Sequence, residues 1–370
     1  MVTRWADRRS PRCGPAEPDE ASSGRTVGTL PAVELTTVTD HEAVFFDGVE
    51  RIVVDGLPPD TELEVLGHDV RTLPAPGELL ARFATVNDVH FGETEAGRID
   101  GADIGPVCSV PPGAEPYPEV MNRGAVAEMS AIDPEVVVVK GDLTANGTDE
   151  EYRRFLEVYG GAFGERLVHV RGNHDSYHGG GYAAWPTQEV HLEGLTIALL
   201  DTSRDHRVNG ALSADQLEWL DELAVRADQP VLALGHHPVW DPDVQPRRED
   251  TFGIVPDDSE ALFEVLRRRR NVVAYGAGHT HRNHRRAIAA AGGAHCFEVA
   301  CVKDFPGAWV EYRVHERALV QVFRRIATPE ALAWSEQTRH MYEGGYAAYA
   351  FGHLADRCFA VDTATRALWA

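Results

Sequence analysis

The sequence predicts an α/β protein built around a parallel sheet, and three observations lead to that expectation. Val136 to Val139 form an unbroken β-branched run between Pro134 and Gly141, the mark of a strand buried on both faces. From Arg82 to His281 such strand-like runs alternate with stretches of helical periodicity, as in chains that build parallel sheets. Five of the runs also stop on a polar cluster: Asp88 and His90; Asp142; Asn173, His174 and Asp175; His236 and His237; His279 and His281. Ligands of open α/β sheets bind beyond the carboxyl ends of the strands. The five clusters are therefore expected to meet at one edge, with Asp142 at the centre.

Taken in order, residues 1–28 are rich in Arg, Pro, Ser and Glu and lack an apolar h-region, so they read as a disordered tail and not as a secretory signal. Residues 29–80 read as a small β-rich segment. Short alternating runs at Val33 to Val38, Glu42 to Phe46, Glu50 to Val54 and Glu62 to Val65 are separated by Gly- and Pro-containing turns. The turn from Gly56 to Leu63 resembles one in fibronectin-III-like modules. Residues 81–327 form the main domain. Helices are expected at Tyr117 to Ile132, at Asp149 to Tyr159 behind the N-cap Thr148, after the capping box Ser213–Gln216, and at Ser259 to Arg270. The run Arg267 to Arg270 is read as a solvated last turn facing the negative end of the helix dipole. Strands follow at Ala294 to Val302, Trp309 to Val314 and Ala318 to Phe323, the last two as a hairpin. Residues 328–370 are expected to be a mostly helical extension.

Composition narrows the classes of partner. The 370 residues are 43% hydrophobic and 25% charged, which suits one large α/β domain with a small appendage. A formal net charge of −23 disfavours nucleic-acid polymers and anionic membrane surfaces. It leaves room for a small phosphoester, because bound cations can reverse the field inside one pocket. Five cysteines with no CxxC spacing point to a reducing compartment, and a cytoplasmic location is expected. No apolar run is long enough to span a bilayer.

The polar clusters offer carboxylates, imidazoles and one amide, and no sulfur. That mixed set suits Zn²⁺, Mn²⁺ or Fe. It is too large for one tetrahedral ion and fits two neighbouring divalent ions that share a carboxylate, for which Asp142 is the candidate. Two ions about 3.5–4 Å apart can clamp a phosphoryl group and hold a hydroxide at neutral pH. Asp-x-His alone carries almost no information, whereas Gly-His-x-His after an apolar strand carries more, since alternate side chains of an extended segment face one side.

Asp88-x-His90, Gly141-Asp142, Gly172-Asn173-His174-Asp175, His236-His237-Pro238 and Gly278-His279-Thr280-His281 together resemble the motif set of calcineurin-like metallophosphoesterases. The resemblance runs from Arg82 to Arg286 and is nearest to the class III cyclic nucleotide phosphodiesterase and glycerophosphodiesterase branch. It implies a two-sheet αββα sandwich and a phosphodiesterase that uses a metal-bridging hydroxide. One metal would be held by Asp88, His90, Asp142 and His281, and the other by Asp142, Asn173, His236 and His279. His174 would stabilise phosphoryl oxygens or protonate the leaving group, with Asp175 orienting it. His237, Asn146, Arg204 and His178 would stand behind the ligands or face substrate. Ala145 occupies the place where purple acid phosphatases carry a tyrosine, and His90 the place of their glycine, which sets the chain outside that subfamily. Hydrolysis of monoesters or nucleotides by the same fold, a metal-bound scaffold without catalysis, and a binding role for the 29–80 segment are the alternatives.

Overall fold

The computed structural model describes residues 33–99, 101, 103–179 and 181–369; the expected tail, residues 1–28, lies outside them. Side-chain alternation along the valine run explains the architecture. Val136 and Val138 share a core with Phe83, Ile197, Leu234, Phe297 and Tyr312. Val137 and Val139 point the other way, toward Met121, Met129, Phe155 and Trp334. A strand apolar on both sides needs a layer against each face.

Two six-stranded sheets supply the central pair of layers. The first runs, in spatial order, Leu167–Val170, Val137–Lys140, Leu79–Val86, Ala308–His315, Ala318–Arg325 and Phe359–Asp362. Its first three strands are parallel and the rest antiparallel. The second runs Thr187–Leu192, Leu195–Leu200, Val231–Leu234, Val272–Ala277, Ala294–Glu298 and His284–Ile288. Its four inner strands are parallel and both edges antiparallel. Helices Tyr117–Ala131 and Pro329–Thr338 bury Met121, Ala125, Ala331 and Trp334 against the first sheet. Ala214–Arg226 and Pro256–Arg268 bury Leu220, Leu223, Leu262 and Phe263 against the second. The layers are αββα, as the resemblance implies.

Local signals account for most helix starts. Thr148 caps Asp149–Phe155 with Glu151 in a full capping box, and Ser213 does the same with Gln216. The first of these helices passes at Leu156–Gly160 into a wider π turn. Pro256 opens its helix three residues before the expected start, at a position where a missing N–H costs nothing. The arginine run is exposed at Arg267, Arg268 and Arg270 as expected, and Arg268 and Arg269 also bond Asp221 of the neighbouring helix.

The N-terminal segment forms a three-stranded antiparallel sheet, Glu34–Val38, Ala43–Asp47 and Glu50–Val54, and a hairpin of Glu62–Val65 with His68–Arg71. It is fastened to the main body, for Thr37 Oγ1 donates to Phe323 O at 2.8 Å and Arg339 bonds Glu34 at 2.7 Å. The C-terminal stretch departs from the helical expectation at its end. After Tyr346–Phe351 and Leu354–Arg357, Phe359–Asp362 becomes the edge strand of the first sheet. Only three apolar residues mark that strand in the sequence, too few for a period to register. Among the described residues, no helix is long and apolar enough to cross a membrane.

Candidate metal centre

Each cluster sits where its strand stops. Asp88 and His90 follow Leu79–Val86, Asp142 follows Val137–Lys140, and Asn173, His174 and Asp175 open the single turn Asn173–Ser176 after Leu167–Val170. The second sheet contributes His236 and His237 after Val231–Leu234, and His279 and His281 after Val272–Ala277. Donor atoms of Asp88, His90 and His281 lie within 4.8 Å of one another, as do those of Asp88, Asp142 and His236, and those of His236, His237 and His279. The seven expected ligands thus come together where the carboxyl ends of the two sheets meet.

Asp142 is the pivot. Its Oδ2 lies 3.4 Å from His90 Nε2 and 3.2 Å from His236 Nε2, while its Oδ1 accepts the His174 backbone N–H at 2.9 Å. His236 Nε2 is also 3.1 Å from Asn173 Oδ1, and His281 Nε2 is 3.6 Å from Asp88 Oδ1. Neither ring nitrogen of His90, a side chain 2% exposed, has a hydrogen-bond partner among the described residues. Buried polar atoms normally find partners, so the donor set fits a cation between Asp88, His90, Asp142 and His281.

The backbone is bent to bring these groups inward. Asp88, His90, Asp142, His279 and His281 all have φ between 49° and 68°, a left-handed conformation that non-glycine residues adopt at a cost of about 1–3 kcal/mol each and that clusters at functional sites. Close approach explains the glycines of the motifs. A Cβ on Gly172 would collide with the Asp142 carboxylate, and one on Gly141 would stand 2.5 Å from His236 Nδ1.

Second partners orient the rings. His236 Nδ1 donates to Lys140 O at 2.8 Å, which leaves Nε2 facing Asp142. His279 Nε2 donates to Phe252 O at 2.8 Å, and its ring stacks on Phe252. Asn87 donates to Asp88 Oδ2 and to Val299 O. His237 has both nitrogens engaged, Nδ1 with Thr202 Oγ1 and Nε2 with Val208 O, so it supports the cluster and offers no free donor.

The comparisons with known proteins agree with this geometry. The family model for calcineurin-like phosphoesterases matches residues 81–283. The chain belongs to that family. A cAMP/cGMP dual specificity phosphodiesterase from Mycobacterium tuberculosis is 34% identical over 165 residues, 41% of this chain and 50% of the relative. A probable cyclic nucleotide phosphodiesterase from a Synechococcus strain is 28% identical over 154 residues, 40% of this chain and 58% of the relative. The chain thus spans about half the length of the curated relatives it matches. A dimetal phosphatase from Danio rerio superposes over 67% of this chain and 98% of its own, with a TM-score of 0.52 at 19% identity, a likeness of fold.

In this calcineurin-like phosphoesterase the two carboxylates behave differently. Burial opposes ionisation of Asp142, yet His236 and His174 outweigh it and hold the group well below its usual range. Burial raises Asp88, and the neighbouring Asp142 adds to the rise against the pull of His236. For His236 burial disfavours charge, but Asp142 and Asp88 prevail and lift it to about 9. Burial, with His236 nearby, pushes His279 down to about 3. A site that concentrates such opposed shifts is built to hold charge.

The remaining expected site residues divide. His174 is half-buried beside His90, with ring centroids 4.4 Å apart, and its Nδ1 donates to Ala145 O at 2.8 Å. Asp175 does not orient it. The Asp175 carboxylate instead accepts from the backbone N–H groups of Leu143, Thr144 and Gly172 at 2.8–3.0 Å and from the Thr144 hydroxyl, clamping the loop that carries Asp142. Burial and Asp142 raise it to about 6. Asn146 turns its amide to Glu151 at 2.8 Å, within the helix cap. Arg204 bonds Asn209 at 3.1 Å, and His178 is exposed on the turn after Asn173–Ser176. Arg282 and Arg286, beside the last cluster, pair with Glu298 and Asp241.

Sequence reasoning missed Lys140, whose buried ammonium donates to Ala277 O at 2.7 Å and ties the two sheets together at the site. It also missed Phe252, which sits in a loop without any strand signal. The one clue to Lys140 was a lysine inside an otherwise apolar strand end.

Proposed function

We propose that this chain hydrolyses phosphodiesters with two divalent cations held at the sheet edge. The observation that carries the reading is the single oxygen, Asp142 Oδ2, that faces both His90 and His236. Asp88, His90, Asp142 and His281 form one cation position; Asp142, Asn173, His236 and His279 form the other. When bound, a pair of cations supplies a hydroxide at neutral pH and neutralises charge on the phosphoryl oxygens.

The chain's own residues do the rest. Lys140 O and Phe252 O fix the tautomers of His236 and His279, so each ring offers one unprotonated nitrogen toward the cations. The Asp175 clamp and the left-handed turns set the positions of the ligands before substrate arrives. His174 holds its Nδ1 proton on Ala145 O, so Nε2 is the atom left to face the phosphoryl group. Only as the imidazolium, with Nε2 also protonated, does the ring donate to a phosphoryl oxygen or give that second proton to the leaving alkoxide. The names of these relatives support a cyclic nucleotide as substrate, and the motif resemblance adds a glycerophosphodiester as a second small diester.

Metal content of the purified chain, followed by hydrolysis of cyclic AMP, glycerophosphodiesters, bis-p-nitrophenyl phosphate and p-nitrophenyl phosphate under Mn²⁺, tests the reading. Two metals per chain and preference for diesters are expected. Preference for the monoester would transfer the assignment to a phosphomonoesterase, and metal-loaded protein inert toward all four would remove the catalytic reading.

A further inference from the structure

A second buried charged cluster lies behind the candidate ligands, and none of its members is used above. Lys303 is 4% exposed, with its Nζ 2.7 Å from Glu93 Oε2 and 3.4 Å from Asp304 Oδ2. Each of these carboxylates looks at the back of one imidazole. Glu93 Oε2 lies 3.9 Å from His90 Nδ1, and Asp304 Oδ2 lies 4.0 Å from His281 Nδ1. The front nitrogens of the same rings face Asp142 and Asp88, at 3.4 Å and 3.6 Å. Both rings therefore stand between a ligand carboxylate on Nε2 and an outer carboxylate on Nδ1.

The outer group is itself held. Asp304 Oδ1 accepts from Cys301 Sγ at 2.8 Å and from the Tyr346 hydroxyl at 2.5 Å, and Lys303 O accepts from Trp334 Nε1 at 2.9 Å. Trp334, Tyr346 and the charged pair Lys303 and Asp304 all lie beyond the matched residues 81–283. The other two imidazoles differ in kind: His236 and His279 are backed by the neutral carbonyls of Lys140 and Phe252. At 3.9–4.0 Å the two carboxylates stand beyond hydrogen-bond reach, so they act on the rear nitrogens through charge, favouring the proton there and leaving the front nitrogen as the donor to a cation. Two acidic groups so near would repel each other, and the Lys303 ammonium between them removes that cost.

We propose that Glu93 and Asp304, bridged by Lys303, with Asp304 anchored by Tyr346, are positioning residues whose charge holds the proton of His90 and His281 on the rear nitrogens. They thereby set the affinity of the one cation position those two rings share. This inference rests on the two-cation reading above. A cluster that served only to stabilise the fold would not discriminate between the two positions.

The test is calorimetric titration of the metal-stripped full chain with Mn²⁺, with thermal unfolding of the stripped protein alongside. Glu93→Gln and Asp304→Asn keep the side-chain size and remove the charge. Each is expected to weaken one position by about 10–100-fold and leave the other within about 3-fold, with a smaller loss in Tyr346→Phe. The weakened position should be the one abolished by His281→Ala, and not the one abolished by His236→Ala. Unchanged affinities in folded variants, or equal losses at both positions, would overturn the proposal while the two-cation reading stands. A parent chain that takes up fewer than two Mn²⁺ would overturn both. Should Asp304→Asn fail to fold, Glu93→Gln and Tyr346→Phe decide the matter.

Discussion

At the scale of single residues, the ligands were legible because each lies within a few residues of the end of an apolar strand. What the sequence did not carry was the partner of each ligand. Phe252 O reaches His279 across 27 positions and Lys140 O reaches His236 across 96, and no local pattern records such a meeting. Asp175 shows the same limit: adjacency to His174 suggested a pair, whereas a one-turn helix points the two side chains apart. Two outcomes follow here. Gly172→Ala should lose bound metal, because its new methyl group overlaps the Asp142 carboxylate; elemental analysis of the purified variant checks this, and full occupancy would contradict it. His174→Ala should retain both cations and lose turnover by about 10²–10⁴-fold, since the ring touches the ligand set only through contacts a cation does not need. Metal analysis beside steady-state kinetics separates the two effects.

Among the elements, those with a strong period or cap were expected and found. The hairpin of Thr187–Leu192 and Leu195–Leu200 was not anticipated, because its outer strand carries Gln188, Glu189 and His191 along a half-exposed edge. The hairpin strand His68–Arg71 escaped for a related reason: its turn, Leu66–Gly67, has positive φ at both residues, and leucine does not announce such a turn. The loop that bears His279 and His281 is pinned by a strand end. Glu298, at the close of Ala294–Glu298, accepts from Thr280, Arg282 and His284. Burial resists its ionisation, but His284 and Arg282 overcome that and depress the carboxyl from 4.5 to about 2. A depressed acid stabilises the fold above its unfolded value and loses that contribution as pH falls through its folded value. Glu298→Gln should therefore melt well below the parent at neutral pH, with the gap closing as pH drops from about 4.5 toward 2. A gap that does not vary with pH would show that charge is not the cause.

For the molecule as a whole, the sequence divided the chain at residue 80, yet the structure binds the two parts through long-range polar contacts. Arg357 is the clearest link. Its guanidinium donates to Leu35 O and Thr36 O on one side and to Phe351 O and Gly352 O on the other, and it lies 3.6 Å from the Phe351 ring. Arg357→Leu would leave four carbonyls without that donor, and a loss of roughly 3 kcal/mol in urea unfolding is expected. An unchanged midpoint would mean that the β-rich segment stands alone. The edge strand Phe359–Asp362 has a different consequence. It pairs with residues 318–321, the first half of Ala318–Arg325, a strand buried along nearly its whole length. Proteolytic trimming of the last dozen residues would uncover an apolar ribbon with open N–H and C=O groups, the template on which further chains add. Clipped material should then elute as growing oligomers and bind thioflavin, while intact protein does not, if the strand Phe359–Asp362 is what shields that edge.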